Sequence, residues 1–283
     1  GHFLPKRSPS LEKNKVKYLM PVQNKTVSVS ILDGVMTVCM NRPDARNSLN
    51  KEMMLALSDA FDVAAKDNQI RVVKLTGEGS VFCAGGDLKE IFQETTTPMD
   101  IKNLLDIYIR PIISKMLNLN KPIVTVLNGP AAGAGLGLVL ASDMVIAHEK
   151  ASFITAFGQI GAMPDSGVMY LMVENIGLMQ AKNVVLRSQT LSAQEAKDLG
   201  LYTYVVTTDQ LEDFSQEILK ELSSGPTIAI GFAKQAMRDA SRTSFDAYMD
   251  AESLAMAVIS TTKDKKEGVA AFKEKRRPLF KGQ

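Results

Sequence analysis

Two glycine-rich segments are the parts of this sequence best suited to chemistry. The first, from Phe82 to Leu88, reads Phe-Cys-Ala-Gly-Gly-Asp-Leu, and the second, from Asn128 to Gly135, reads Asn-Gly-Pro-Ala-Ala-Gly-Ala-Gly. Glycine lets a backbone come close to a ligand, and a free N–H at such a turn or at a helix N-terminus can point at a carbonyl oxygen. Two donors converging from two turns would form an oxyanion hole, in which each donor stabilises an enolate by about 2.7 to 4 kcal/mol.

Each segment also has a purely structural explanation. Glycine permits tight turns, and Asp87 could cap a helix that follows the first segment. Neither segment has the G-x-G-x-x-G spacing of a dinucleotide-binding loop, so a nucleotide phosphate is a less favoured ligand. Neither segment decides between these explanations by itself.

Composition and residue counts exclude several other kinds of site. His2 and His148 are the only histidines, and His148 follows a strand-like run, so we expect no catalytic triad and no metal site. Cys39 and Cys83 lie in apolar runs, which is typical of proteins from a reducing compartment. We therefore expect neither a disulfide framework nor a zinc site. The 33 basic and 31 acidic side chains give a net charge of +2, which favours a small-molecule partner over nucleic acid. No apolar stretch reaches the roughly 18 to 20 residues of a membrane-spanning helix, so we expect no membrane segment.

The elements that must position the two segments alternate between strands and helices. Asp33-Gly34 between two apolar runs predicts a hairpin. Strands are predicted over 27–32, 35–40, 72–75, 81–83, 123–127, 144–147 and 203–206, and helices over 51–65, 101–117, 210–222, 226–239, 244–260 and 264–276. This order predicts an α/β fold with a mainly parallel sheet, in which both glycine-rich segments leave the carboxyl ends of strands.

The chain divides into three predicted parts. Residues 26–207 form the core domain, and residues 208–283 form a helical oligomerisation region. Residues 1–25 are rich in lysine and arginine but have no apolar signal core, which is typical of a disordered tail, a tag or a cleaved targeting remnant. We expect a cytoplasmic protein, or one of an organelle matrix if the first part is a targeting remnant.

The glycine-rich segments belong to a longer series of motifs. Asn41-Arg42-Pro43 and Asn47-Ser48-Leu49 precede the two segments in order, and a C-terminal string from Glu267 to Phe280 follows them. In this order and spacing the chain resembles the crotonase (enoyl-CoA hydratase/isomerase) superfamily from residue 26 to its end. The resemblance implies a crotonase-like spiral of ββα units with a C-terminal helical trimerisation region. It also implies an acyl-CoA substrate, no separate cofactor, a homotrimer or hexamer, and an oxyanion hole formed by the N–H groups of Gly86 and Ala134.

The sequence departs from the family's hydratases at the two positions where they carry glutamates. Gly137 and Phe157 stand there, so hydration should be badly impaired because no pair of carboxylates can orient a water. Relatives that keep an aspartate at the position of Asp165 use it on the substrate. By this resemblance Asp165 is the acid/base, and an apolar pocket with Phe157, Met163 and Ile154 would raise its pKa. The alternative role for Asp165 is the N-cap of a helix over 168–172.

One carboxylate and an oxyanion hole can carry out an isomerisation. The base removes a proton next to the thioester, the enolate is held by two N–H groups, and the same acid returns the proton elsewhere. The segments around Ala151 and Met163 most resemble the epoxide isomerases of phenylacetate breakdown, which also shift Δ3 double bonds to Δ2. The alternatives are a hydratase or decarboxylase of the same family, or an acyl-CoA-binding member without activity. A dehalogenase is less favoured because residues 154–160 contain no histidine.

Substrate contacts are predicted around both segments and at the C-terminus. Arg46 could meet the nucleotide end of coenzyme A, and Lys275, Phe280 and Lys281 could approach from a C-terminal helix, although a solvated basic end explains this cluster equally well. The predicted substrate-binding residues are Ala45, Arg46, Ala84, Asp87, Leu88, Gly133, Gly137, Phe157, Lys275 and Phe280.

Overall fold

The computed structural model describes residues 18–19, 25–91 and 93–283, in which strands alternate with helices. The strands β1 to β10 are Tyr18–Leu19, Val27–Leu32, Val35–Met40, Val72–Gly77, Ile123–Leu127, Ala131–Ala132, Met144–His148, Phe153–Ile154, Thr190–Leu191 and Tyr204–Val206. The helices α1 to α11 are Lys51–Lys66, Leu88–Ile91, Pro98–Asn103, Arg110–Asn118, Gly135–Leu140, Val168–Leu186, Ala193–Leu199, Leu211–Ser223, Thr227–Asp239, Phe245–Ser260 and Lys263–Lys273. A π-helix spans Leu104–Ile109, and 3-10 helices span Pro43–Ala45, Ala156–Ile160 and Thr208–Gln210.

The main sheet has the strand order β1-β2-β3-β4-β5-β7-β10. Strands β2 and β3 pair antiparallel through Asp33 and Gly34, whose φ angles of 50° and 80° suit the predicted two-residue hairpin. From β3 to β10 every neighbouring pair is parallel, with Val38 opposite Leu75 and Val126 opposite Ile146. The carboxyl ends of these strands therefore meet at one edge of the sheet, where open α/β sheets bind their ligands.

The chain repeats one pattern of long strand, short strand and helix. β5 is followed by β6 and α5, and β7 is followed by β8 and α6. The short strands stack, because Ala131 pairs with Phe153 on one side and with Cys83 on the other. The predicted spiral of ββα units is therefore confirmed. The predicted strand over 81–83 is wrong in extent, since only Cys83 forms a bridge and the extended backbone ends at Gly85, where φ is 99°.

Both faces of the parallel sheet are covered. Helix α1 packs on β2 and β3, and its Met53, Leu57 and Phe61 side chains are buried in the larger apolar core. Helix α8 packs on the opposite face, where Leu219 meets a smaller cluster of strand valines and isoleucines. This double cover explains why the parallel strands are nearly continuous apolar runs.

The predicted helix over 101–117 is present, but it contains a change of helix type. It comprises α3, the π-helix Leu104–Ile109 and α4, and the backbone N–H of Arg110 bonds to the carbonyl of Leu105. Pro111, in the first turn of α4, has no N–H to donate and so interrupts the regular α-helical ladder. This segment forms one wall of the pocket described below.

Helix α9 and the C-terminal segment are attached to the core by two partly buried basic side chains. Lys234 of α9 lies 2.8 Å from the Asp143 carboxylate, and Arg71 beside β4 donates to the hydroxyl of Thr227 at 2.8 Å and to the carbonyl of Phe280 at 3.1 Å. Helix α11 ends at Lys273, short of the predicted residue 276, and Lys275 follows with a left-handed φ of 55°.

Part of the predicted N-terminal tail is ordered. Tyr18–Leu19 pair with β2 as a short antiparallel strand, whereas residues 1–17 and 20–24 lie outside the described residues. Within the described ranges no helix is both long and apolar enough to cross a bilayer.

Candidate active site

The two glycine-rich segments run side by side at the carboxyl edge of the sheet. The N–H of Phe82 donates to the carbonyl of Pro130 at 3.0 Å, and the N–H of Ala132 donates to the carbonyl of Cys83 at 2.9 Å. A Cβ on Gly129 would overlap the carbonyl of Ser80, so the segments can approach this closely only with glycine there. The turn at Gly85 and the turn at Gly133, which follow these paired stretches, are consequently held next to each other.

The turns touch each other through Gly85. A Cβ at this position would lie 3.2 Å from the carbonyl oxygen of Ala132 and 3.3 Å from the nitrogen of Ala134. Its φ of 99° is also in the region that favours glycine. Gly85 is therefore required both by its backbone conformation and by the close approach of the second turn.

The predicted oxyanion donors have no partner within the described chain. Leu49 forms a parallel bridge to Gly86, in which Leu49 donates to Gly85 and accepts from Asp87, so the N–H of Gly86 points to the other side. Ala134 is the N-cap of α5 and its carbonyl accepts from Gly137 at 3.0 Å. In the described residues neither the Gly86 nor the Ala134 N–H donates to another group, and both residues lie where the turns meet. Together they have the features of an oxyanion hole.

Two asparagine side chains, the buried Asn47 and the partly buried Asn128, hold the segment that leads into the first turn. The amide of Asn47 donates to the carbonyls of Glu78 and Val81 at 2.9 and 2.8 Å and accepts from the Arg42 N–H at 2.8 Å. Asn128 accepts from Gly77 and donates to Gly79. Both asparagines stand in the sequence motifs, but sequence reasoning assigned them no role. For Asn128, its place directly after the apolar run of β5 was a usable signal.

Asp165 lies in the loop that leads into α6. Its carboxylate accepts a hydrogen bond of 2.7 Å from the Ser166 hydroxyl. Burial raises the pKa of the Asp165 carboxyl above its ordinary value, and the Ser166 hydrogen bond opposes that shift. The alternative N-cap role is wrong, because Gly167 is the N-cap of α6 and no side chain caps this helix.

Gly137 brings the Asp165 loop close to the oxyanion turns. A Cβ on Gly137 would overlap the carbonyl oxygen of Ser166 and lie 2.9 Å from the Ser166 Cβ. Gly137 is also one turn of α5 beyond Ala134. Position 137 therefore has no room for a side chain, and a glutamate there would require Ser166 to move.

A cavity of about 400 Å³ opens beside Asp165. One wall is the loop from Met163 to Gly167 with the first turn of α6, and the other is the π-helix and α4, which contribute Leu105, Ile109 and Ile113. The predicted surroundings of Asp165 are wrong in two places. Ile154 and Phe157 do not line this cavity, because Phe157 packs into the apolar core from its 3-10 helix. Sequence reasoning missed the wall formed by the helical segment.

A second carboxyl group lines the same cavity but differs in its surroundings. Asp106 is exposed and forms ion pairs with Lys102 and Arg110. The hydrogen bond and charge of Lys102 lower the pKa of Asp106. Asp165 is therefore better suited than Asp106 to exchange a proton near neutral pH.

The predicted contacts at the first turn lie close together. The carbonyl of Arg46 accepts from the N–H of Ala84 at 3.0 Å, which places Ala45 and Arg46 against this turn. Arg46 is exposed, and Leu88 is 49% exposed at the start of α2. Asp87 is paired with Arg42 at 3.0 Å. Gly133 forms part of the second turn, beside Gly85.

The predicted C-terminal contacts lie elsewhere within this chain. The carbonyl of Phe280 bonds to Arg71, which precedes β4, whereas the glycine-rich turns follow the carboxyl ends of β4 and β5. Lys275 follows α11 in the same helical layer. A single chain thus does not bring these two residues to the turns. His148 is buried, and its Nδ1 accepts from the backbone of Lys150 at 3.0 Å.

Comparison with known proteins gives a consistent picture over most of the chain. The family profile described as enoyl-CoA hydratase/isomerase matches residues 30–283. The 1,2-epoxyphenylacetyl-CoA isomerase of Escherichia coli (strain K12) is 36% identical over 88% of this chain and 96% of its own length. The 2,3-dehydroadipyl-CoA hydratase of the same strain is 31% identical over 90% of this chain and 98% of its own length. A crystal structure of enoyl-CoA hydratase from Bacillus anthracis superimposes with a TM-score of 0.86 at 32% identity, covering 91% of this chain and 100% of that one.

Proposed function

Because this chain belongs to the enoyl-CoA hydratase/isomerase family and has the crotonase fold, we propose that it is an acyl-CoA thioester isomerase that works through an enolate. Asp165 is the acid/base, and the N–H groups of Gly86 and Ala134 hold the enolate oxygen. The observation that carries this proposal is the close contact between Gly137 and Ser166. It leaves no space for a carboxylate at position 137, and it brings Ser166, the neighbour of Asp165, against the helix that begins after Ala134.

The proposed reaction moves one proton and one double bond. Asp165 removes a proton from the carbon next to the thioester carbonyl of a 3-enoyl-CoA, and the electrons pass into a dienolate whose oxygen accepts from Gly86 and Ala134. The protonated Asp165 then returns the proton to the carbon at the far end of the former double bond. Its raised pKa favours removal of the first proton, because a carboxylate of ordinary pKa is a weaker base.

Two acyl groups are candidates for the cavity beside Asp165. Similarity to the Escherichia coli 1,2-epoxyphenylacetyl-CoA isomerase supports a ring epoxide, and the same machinery would shift a Δ3 double bond to Δ2. Leu105, Ile109 and Ile113 provide an apolar wall for either group. Coenzyme A enters as part of the substrate, and we propose that Ala45, Arg46, Ala84 and Leu88 contact it outside the first turn.

We further propose that the enzyme is a homotrimer or hexamer. A groove of about 920 Å³ between α9, α10 and α11 is largely apolar, and Leu254 and Phe272 of this layer are 69% and 86% exposed. Assembly of copies would cover this surface. Lys275 and Phe280 could then contact the coenzyme A of a neighbouring copy, and Lys275→Glu should raise KM with little change in kcat, whereas an unchanged KM would remove Lys275 from the site.

The test is steady-state conversion of 3-enoyl-CoA to 2-enoyl-CoA by the wild type and Asp165→Asn. Loss of the acid/base should reduce kcat by about 10²- to 10⁴-fold while acyl-CoA binding, measured by calorimetry, is retained. Asp198→Asn on the exposed face of α7 is the matched control and should keep full activity. Isomerisation that survives in Asp165→Asn would require another acid.

The second candidate is a hydratase, favoured by the similar 2,3-dehydroadipyl-CoA hydratase. An assay of crotonyl-CoA hydration, run beside the isomerisation assay, distinguishes the hydratase function from the isomerase function. Hydration at ordinary enzyme rates with little isomerisation would support the hydratase, and acyl-CoA binding without turnover of any thioester would support a binding protein.

A further inference from the structure

Ser166 occupies a position that links the acid/base to the rest of the site. It is only 8% exposed, and its hydroxyl donates to the Asp165 carboxylate at 2.7 Å. The backbone carbonyl of Ser166 packs directly against Gly137 of α5. The contact to Asp165 and the contact to Gly137 are thus made by a single residue.

We propose that Ser166 is a positioning residue, whose hydroxyl holds the carboxylate of Asp165 in its ionised, proton-accepting state and in its orientation toward the cavity. This inference rests on the proposed function, because it assigns to Ser166 a role in the same acid/base step. Ser166 does not touch the reacting atoms. It acts through Asp165.

The backbone of Ser166 makes its hydroxyl a directed donor. Its φ of 55° lies in the left-handed region, which serine adopts rarely, and the following Gly167 has a φ of 76°. The Gly137 contact leaves little space for this backbone to relax. Ser166 is therefore held in an unusual conformation that directs its hydroxyl onto the neighbouring carboxylate, and such conformations persist where the surroundings impose them.

The charged groups around the cavity do not replace this hydrogen bond. Asp106 and Arg110 face the cavity from the helical segment and are paired with each other, and Asp106 also binds Lys102. Tyr170 faces it from α6, and its hydroxyl accepts from Arg242. Within the described residues, the side-chain hydrogen bond to Asp165 comes from Ser166. Removal of the hydroxyl should therefore disfavour the ionised carboxylate.

The test compares Asp165 titration in the full-length wild type and in Ser166→Ala. Aspartate carboxyl groups are labelled with ¹³C, and the Asp165 signal is assigned by its absence in Asp165→Asn. We expect its titration midpoint, and the acid limb of kcat/KM, to move about one pH unit upward in Ser166→Ala, as loss of a hydrogen bond to a charged group predicts. Ser166→Cys, with a weaker donor of similar size, should shift both in the same direction by less.

Ser188→Ala is the matched control, because Ser188 also has a left-handed φ, of 48°, but does not line the cavity. It should leave both midpoints unchanged. An Asp165 midpoint that stays at the wild-type pH in Ser166→Ala overturns the inference even if activity falls. If Ser166→Ala does not fold, an unchanged midpoint in Ser166→Cys overturns it instead. The carboxyl titration requires no turnover, so this failure is distinct from failure of the proposed function, which is continued isomerisation by Asp165→Asn.

Discussion

The two halves of the candidate site are built in different ways. The oxyanion turns consist of backbone, and they are held by the core through buried amides such as Asn47 and by direct contact of Gly85 with the second turn. The proposed acid/base, Asp165, is one side chain on a loop beside an open cavity, and it accepts a hydrogen bond from the hydroxyl of Ser166. The proposed oxyanion donors therefore depend on the whole fold, whereas the proposed proton transfer depends on Asp165 and on the one side chain that bonds to it.

The comparison predicts its largest effect at Gly85. In Gly85→Ala the added Cβ would press on Ala132 and Ala134 and oppose the left-handed backbone, so at least one donor should move. We expect kcat to fall by about 10²- to 10³-fold, the cost of losing one oxyanion donor. Gly161→Ala is the control, because Gly161 also has a positive φ but has open space around it, and it should keep its activity. Equal losses in both variants would mean that backbone strain, not the contact between turns, causes the effect.

A second variant tests the link between the two halves. Gly137→Ala would place a methyl group against Ser166 and displace the Asp165 loop, and a shift of about 1 Å can reduce activity by about 10²-fold. We expect kcat to fall while the oxyanion donors still bind an acyl-CoA product analogue with wild-type affinity, measured by calorimetry. Parallel loss of binding and turnover would show that the halves are not separable.

Asn47→Ala tests whether the core holds the first turn. The change removes a fully buried amide, so the carbonyl of Glu78 loses its donor and the N–H of Arg42 loses its acceptor, whereas the carbonyl of Val81 keeps the Asn128 amide at 3.2 Å. Each buried group left unsatisfied costs about 1 to 3 kcal/mol. We expect the free energy of unfolding, from urea denaturation, to fall accordingly. The exposed side chain of Asn183 accepts a hydrogen bond from Arg187 at 3.1 Å, and it supplies the control Asn183→Ala. If both variants were equally stable, the buried amide would not support the turn.

The smallest effect is a gain of stability in Asp165→Asn. The folded-state pKa of Asp165 is raised above its unfolded value, so the ionised carboxylate destabilises the folded protein above the ordinary aspartate pKa. The asparagine should raise Tm at neutral pH, and the difference should shrink as pH falls from the folded pKa to the ordinary value and vanish below it. Asp143 also has a raised pKa, because of burial, but it pairs with Lys234, so Asp143→Asn should lower Tm instead. A Tm for Asp165→Asn at or below that of the wild type would contradict this account.

The strands and most helices could be predicted from sequence because their apolar periodicity is strong. Helix α6 was not predicted in full, since Gly177 has non-helical backbone angles inside it and apolar residues such as Leu178 and Met179 are exposed. The short helix α7 was also missed, although Ser192 and Glu195 form a capping box that was a usable signal.

The candidate site also has parts that the sequence predicts and parts that it does not. The turns were predictable, because only glycine permits such a close approach and the glycines are visible in the sequence. The contact of Gly137 with Ser166 and the cavity wall from the π-helix join segments that are distant along the chain. No periodicity or motif encodes such a contact, so the structure was needed to find it.

Helix α5 has a consequence for how the site responds to thermal motion. Ala134 precedes its first residue, and Gly137 in its first turn carries the contact to the Asp165 loop. Any small translation of this buried helix is therefore common to the oxyanion donor and to the loop of the acid/base, and it largely cancels in the separation between them. The proposed acid/base Asp165 and the proposed oxyanion donor Ala134 can therefore keep their separation while the surrounding residues move.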